Sequence, residues 1–290
     1  MSTAAAPTTA ALAASQTAAV RQTLENLAGE LGLEVPRFEG SRDGAAVATV
    51  VVVGEPKNGK STLVNALVGR AGLSPVDYAV ATATYIAISY GSPGARVYPA
   101  GEDLPEEIHL DELASWTSVA GLATNPRASR VARPVEVTIP VPLLEHVSLI
   151  DTPGVGGFDG RHDRATVAAL HGATTLLFCA DASRPLSEPE LRFLTEATAS
   201  IAHVMFALAK VDENGSWREV LEANRQAIAD RAPQFKNAPW FPVAAPLAEQ
   251  ALQPALSETA AQTLRERSGV DALAAHLVRE TAGRARILEA

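Results

Sequence analysis

The chain has 290 residues, 47% apolar and 20% charged, with a formal net charge of -9 and an isoelectric point near 5.2. That length suits one large domain with a full core, or a domain with a small appendage. The acidic balance and scattered basic residues argue against a nucleic-acid partner, a single cysteine, Cys179, excludes an internal disulfide framework, and no apolar run approaches the roughly 18 residues of a membrane span.

Residues 1–16, rich in Ala, Thr, Ser and Pro, read as a disordered N-terminus without the positive start and compact apolar centre of a signal peptide. The expected location is the cytoplasm. Val20, Leu24, Leu27 and Leu31 recur at helical spacing, which predicts an amphipathic helix over 17–32 within a helix-and-linker segment 17–44. AVATVVVVG (46–54) is a β-branched run and reads as a strand buried on both faces. Further strands are expected at 84–90, 133–139, 146–151, 174–180, 202–210 and 240–244, and helices at 61–69, 104–120, 187–199, 215–231 and 258–267. This alternation predicts a mixed, mostly parallel sheet covered by helices, an α/β fold. The strands at 133–139 and 146–151, joined by PVPLLE, are expected to pair antiparallel at one edge. In the last segment Val270, Leu273, Leu277 and Val278 share a helix face, so helices over 256–290 are expected to pack with the N-terminal helix as the start of a bundle. The terminal ILEA reads as an interrupted helix.

Gly54-x-x-x-x-Gly59-Lys60-Ser61 follows the first buried strand and precedes a helical pattern, the context a phosphate-binding loop requires. Its glycines let backbone N–H groups close around phosphates, and the helix start adds its positive dipole end. Lys60 is expected to reach the outer phosphates and the Ser61 hydroxyl to ligate magnesium. Asp151-Thr152-Pro153-Gly154 ends another apolar strand, where an aspartate can hold magnesium through water and the Gly154 N–H can meet a γ-phosphate. ALAKVD places Lys210 and Asp212 at a third strand end, the edge where open α/β sheets bind ligands. A carboxylate accepts both donors of guanine's N1–H and N2 edge, so Asp212 favours GTP over ATP.

These residues resemble the large GTPases of the dynamin superfamily, and bacterial dynamin-like proteins in particular. GEPKNGKSTLVNAL is similar to their phosphate loop, LSPVDYAVATATYIAISYG to their first switch, DTPGVGG to their second and FALAKVD to their base-reading segment. The resemblance implies a P-loop GTPase domain over 45–255 that binds GTP and Mg2+, dimerises through its nucleotide face and hydrolyses GTP. It also implies membrane remodelling from a peripheral place at the inner face of the cell membrane. The other expectation is a slow GTP-gated regulatory or assembly switch with little intrinsic turnover. Carried over by position, Glu55, Pro56, Lys57, Asn58, Gly59, Lys60, Ser61 and Thr62 line the nucleotide, joined on the base side by Lys210, Asp212 and Ala245. Magnesium falls to Ser61, Asp151 and Thr82, with Thr84 the alternate for Thr82, and Lys57, Lys60, Thr82 and Gly154 serve catalysis. Two positions depart from the family pattern: Ala209 stands where Asn or Thr is usual, and Ala244 where Ser is usual. Each loss removes a hydrogen bond worth roughly 1 kcal/mol.

Only four lysines (57, 60, 210 and 236) stand against twenty arginines, and three of the four lie in nucleotide segments. Related GTPases place a cation-handling group at the position of Lys57: a serine that helps hold a monovalent ion, or an arginine finger. The expectation is that the Lys57 ammonium supplies that charge itself, in place of a monovalent cation. His146, His162, His171, His203 and His276 show no metal spacing. Trp116, Trp217 and Trp240 read as core anchors. For Arg161, Arg164 and Arg184, surface salt bridging is expected ahead of contacts across a dimer.

Overall fold

The computed structural model describes residues 47–76, 85–98, 104–128, 135–152, 173–197 and 203–288. The expected N-terminal helix, Thr82, Thr84, Gly154, Arg161, His162, Arg164 and His171 lie outside them. Strand β1 (Ala48–Val53) is the β-branched run, and it sits centrally because both of its faces are apolar. Val50 and Val52 point to one side, where they join Leu63, Val64 and Leu67 of α1 (Lys60–Val68) and Val270, Leu273 and Leu277 of the C-terminal helix α8 (Val270–Leu288). Val51 and Val53 point to the other side, against Leu191 and Leu194 of α4 (Glu188–Ala197) and Leu221 and Ile228 of α5 (Trp217–Arg231). The period-two alternation of a strand thus feeds two separate cores.

The sheet among the described residues has nine strands: β1, β2 (Ile86–Tyr90), β3 (Gly94–Val97), β4 (Glu106–Ile108), β5 (Val135–Ile139), β6 (Val147–Asp151), β7 (Thr175–Asp181), β8 (Val204–Ala209) and β9 (Trp240–Val243), in the order β4-β3-β5-β2-β6-β1-β7-β8-β9. β6, β1, β7, β8 and β9 run parallel. The expected mixed, mostly parallel sheet covered by helices is what forms.

Two expectations are corrected. β5 and β6 are not neighbours, because β2 lies between them, parallel to β5 and antiparallel to β6. Ile86 and Ile88 of β2 are fully buried, and an edge position would leave them and one row of backbone donors unpaired. The β5–β6 connection crosses the β2 end in a 3-10 turn, Pro142–Glu145, that buries Leu143 and Leu144. Within the expected helix 104–120, the chain instead forms β4, a 3-10 turn (Leu110–Glu112), α2 (Leu113–Thr117) and the start of α3 (Val119–Thr124). Ser118 is the breaker: its backbone is extended (φ -96°, ψ 153°), and its hydroxyl accepts from the Gly121 N–H to cap the next helix.

On α8 Val270, Leu273 and Leu277 of the predicted face are buried and Val278 partly so, and the helix lies against α1, β6 and β9. Its start follows α7 (Glu258–Ser268) through Gly269, which has φ 70°. A Cβ there would stand 2.3 Å from the Pro242 carbonyl oxygen, so glycine lets the helix corner touch β9. A further helix among the described residues, α6 (Ala245–Gln250), begins directly after β9. Trp116 is buried, and the Trp240 ring stacks on Phe206 at 4.3 Å between centroids.

Candidate functional site

Because β6, β1, β7, β8 and β9 are parallel, their carboxyl ends meet at one edge of the sheet. The 54–59 loop, Asp151, Asp181, Lys210 and Ala244 all emerge there.

Gly54 leaves β1 at φ 149°, and a Cβ on it would lie 2.3 Å from the Cys179 carbonyl oxygen of β7. Glu55–Asn58 forms a turn closed by the Asn58 N–H donating to the Glu55 carbonyl at 3.3 Å. Pro56 presets the second position of that turn, and Lys57 occupies the third at φ 69°. Glycine or asparagine is the usual occupant of such a position, so a lysine there carries backbone strain of about 1 kcal/mol or more. Lys57 is exposed and makes no ion pair among the described residues. Gly59, at φ 90°, precedes α1, whose first residue is Lys60. Lys60 is 6% exposed, and its ammonium donates to the Gly54 and Glu55 carbonyls, both at 3.0 Å. Burial holds it below the usual lysine range, against the opposing charge of Asp151.

The loop is also stitched from behind. Glu55 accepts from Arg184 at 2.7 Å and from the Ser187 hydroxyl at 2.6 Å. Arg184 also donates to Glu190 at 2.9 Å, and Glu190 accepts from Asn58 at 3.0 Å. Asn58 donates to the Cys179 carbonyl, and the Cys179 thiol donates to the Asn58 carbonyl. Arg184, weighed as a contact across a dimer, is thus committed within its own chain.

Asp151 is fully buried. Its Oδ2 accepts from the Ser61 hydroxyl at 2.8 Å and from the Ser74 hydroxyl, while its Oδ1 is buried with no partner among the described residues. Burial pushes its carboxyl above the ordinary aspartate range, and the Ser74 hydrogen bond and the Lys60 charge oppose this. A buried carboxylate oxygen without a donor is costly. The Ser61 hydroxyl and the Asp151 carboxylate are oxygen donors that fit a hard divalent cation with its water ligands, while the Lys60 ammonium, which cannot ligate a metal, folds back on its own loop. Thr152 anchors the strand end by donating to the Val52 carbonyl at 2.8 Å.

At the end of β8, Lys210 has φ 63° and donates to Asp181 at 2.5 Å. Burial raises Asp181, but the hydrogen bonds from Lys210 and Ser183 outweigh it and hold the carboxyl below its ordinary value. Asp212 is exposed in the turn after β8. A Cβ on Gly59 would come 3.6 Å from the Ala209 side chain, so the phosphate loop and the end of β8 lie side by side. Ala244 and Ala245 are buried, and the Ala244 N–H donates to the Ser268 carbonyl at 2.8 Å rather than toward a ligand. The structure therefore brings Lys60, Ser61, Asp151 and Lys210 to one edge with Asp212 beside them. Sequence reasoning missed Asp181, Glu190 and Ser74, of which Asp181 carried a signal as a carboxylate at a strand end; Asn65 stood within the GEPKNGKSTLVNAL resemblance but without a role.

Among known proteins, a model of the dynamin family matches residues 50–210. The chain is 33% identical over 181 residues to the isoniazid-induced protein IniA of Mycobacterium tuberculosis, covering 60% of this chain and 28% of that protein. It is 30% identical over 174 residues to a probable transmembrane GTPase, FZO-like and chloroplastic, of Arabidopsis thaliana, covering 60% of this chain and 16% of that one. The chain thus spans well under half the length of these relatives. Among solved structures, an oligomerised bacterial dynamin pair, described as a mechanism for long-range sensing and tethering of membranes, superposes with a TM-score of 0.67 at 18% identity over 94% of this chain and 52% of that one. The fold is that of a P-loop GTPase domain, and with more than half of its residues matched by the family model, the chain belongs to the dynamin family.

Proposed function

We propose that the chain is a GTPase domain that binds GTP with Mg2+, hydrolyses the γ-phosphate and dimerises across its nucleotide face. The observation that carries this reading is the meeting of three strand ends: Gly59 against Ala209, and Ser61 hydrogen-bonded to Asp151. In this reading the backbone N–H groups of 55–62 cradle the phosphates. Lys60 exchanges its two carbonyl partners for phosphate oxygens, a trade that favours the ammonium form its burial now disfavours. Ser61 and Asp151 hold the magnesium, with Thr82 or Thr84 from the first switch. Bound magnesium neutralises charge on the outer phosphates. Gly154 offers its N–H to the γ-phosphate. Lys210, braced by Asp181, lies along the base, and Asp212 reads the guanine edge.

Lys57 completes the catalytic set. Its unusual backbone conformation and exposed ammonium, without an ion pair among the described residues, favour a functional role over a structural one. Catalysis then consists of positioning and charge stabilisation around an attacking water. Coupling to membranes, as the solved dynamin pair is described, belongs to this proposal, with the domain acting peripherally. None of the described helices is long and apolar enough to cross a membrane.

A slow GTP-gated switch is the second reading, favoured by Ala209 and by the commitment of the Ala244 N–H to Ser268. Turnover of GTP measured against protein concentration, with and without potassium, separates the two. A rate per molecule that rises with concentration supports the dimerising enzyme, and a flat, very slow rate supports the switch. Absence of any heat when GTP and Mg2+ are titrated in would refute both.

A further inference from the structure

We propose that Ser74, held in place by Asn65, is a positioning residue that aims the Asp151 carboxylate at the magnesium-bound nucleotide. The inference rests on the GTP–Mg2+ reading of the site. Two hydroxyls, from Ser61 and Ser74, converge on the same oxygen, Oδ2, and Oδ1 is left buried without a partner among the described residues. Ser61 can ligate a metal through an oxygen lone pair while its O–H still donates to Asp151. Ser74 adds a second donor, anchored apart from the metal, that holds the carboxylate in its rotamer.

Ser74 is itself fixed. Its N–H donates to Asn65 Oδ1 at 2.7 Å, and Asn65 Nδ2 donates back to its carbonyl at 2.9 Å. Ser74 and Asn65 are both fully buried. Asn65 sits on α1, the helix that opens with Lys60 and Ser61. One rigid helix therefore reaches Asp151 twice, directly through Ser61 and indirectly through the Asn65–Ser74 pair. Outer partners of this kind fix the orientation of a ligating group, and their loss typically weakens a metal site about 10- to 100-fold.

The test uses the full chain and a slowly hydrolysed fluorescent GTP analogue, titrated at Mg2+ concentrations from EDTA-buffered zero to millimolar. Ser74→Ala is expected to raise the Mg2+ concentration for half-maximal tightening about tenfold or more, with the affinity in EDTA unchanged. Ser74→Cys, close in size but a weak donor, is expected to shift the same way, and it stands in if the alanine variant does not fold. Wild-type Mg2+ dependence in these variants overturns the proposal, as does an equal loss of affinity with and without Mg2+, which marks general damage to the loop. If the wild-type chain shows no Mg2+-dependent nucleotide binding, the reading of the site fails and this inference with it.

Discussion

Gly54→Ala tests how the phosphate loop is seated. The backbone there has φ 149°, and an added Cβ would lie 2.3 Å from the Cys179 carbonyl oxygen. That atom is backbone of β7, paired with β1 next to the Val53–Phe178 register position, so it cannot swing aside as a side-chain tip would. Relieving the contact means prising β1 from β7 where the loop begins. Backbone strain contributes about 1–3 kcal/mol, and overpacking in a filled interior adds about 1–3 kcal/mol. The expected loss of stability is therefore about 2–6 kcal/mol. Gly69→Ala is the control: its φ is 63°, but nothing lies within 4 Å of its Cβ, so only the left-handed cost of about 1–2 kcal/mol applies. Urea unfolding followed by circular dichroism measures both, and nucleotide titration should show weakened GTP binding for Gly54→Ala alone. Equal destabilisation by the two substitutions would refute the argument that the close approach of β7 shapes the loop.

Lys57→Ala should lower GTP turnover far more than GTP affinity, and Lys57→Gly should do the same while raising stability by about 1 kcal/mol through relief of strain; equal loss of turnover and affinity in steady-state and binding assays counts against catalysis by this ammonium. Cys179 is fully buried with its thiol pushed up to about 12 by desolvation, so maleimide should leave the native chain unlabelled at pH 8 and label it quickly in urea. Asp181 titrates below its ordinary 3.8 when folded. The unfolded chain therefore takes up the proton first, and the stability from this group is present above pH ~4 and lost as pH falls through the folded value. Asp181→Asn should lower stability at pH 7 and flatten the decline as pH falls below ~4 in urea melts, and an unchanged acid limb would show that the Lys210 pair is not what lowers it.

Much of the site was legible because its parts are local. A β-branched run, glycines at fixed offsets, a lysine and a hydroxyl form a continuous stretch, so β1, the loop and α1 follow from Gly54–Ser61 without knowledge of the rest. The face of α8 was equally readable, since Val270, Leu273 and Leu277 encode it by spacing. The place of β2 between β5 and β6 was not. Strand order is settled by which apolar strand most needs two neighbours, a comparison among distant segments that no single one contains. The helix expected over 104–120 failed for a related reason: a short alternating strand gained a partner in β3, and one serine turned the backbone.

By itself the amino-acid order determined the phosphate loop, the acidic strand end and the lysine that follows β8, because each depends on chemistry carried by adjacent residues. Only the tertiary structure decided what stands behind them: the Arg184–Glu190 brace, the Asp181 partner of Lys210, and the Ser74 hydroxyl on Asp151. Those partners come from separate elements, and burial gives their hydrogen bonds weight that no local pattern records.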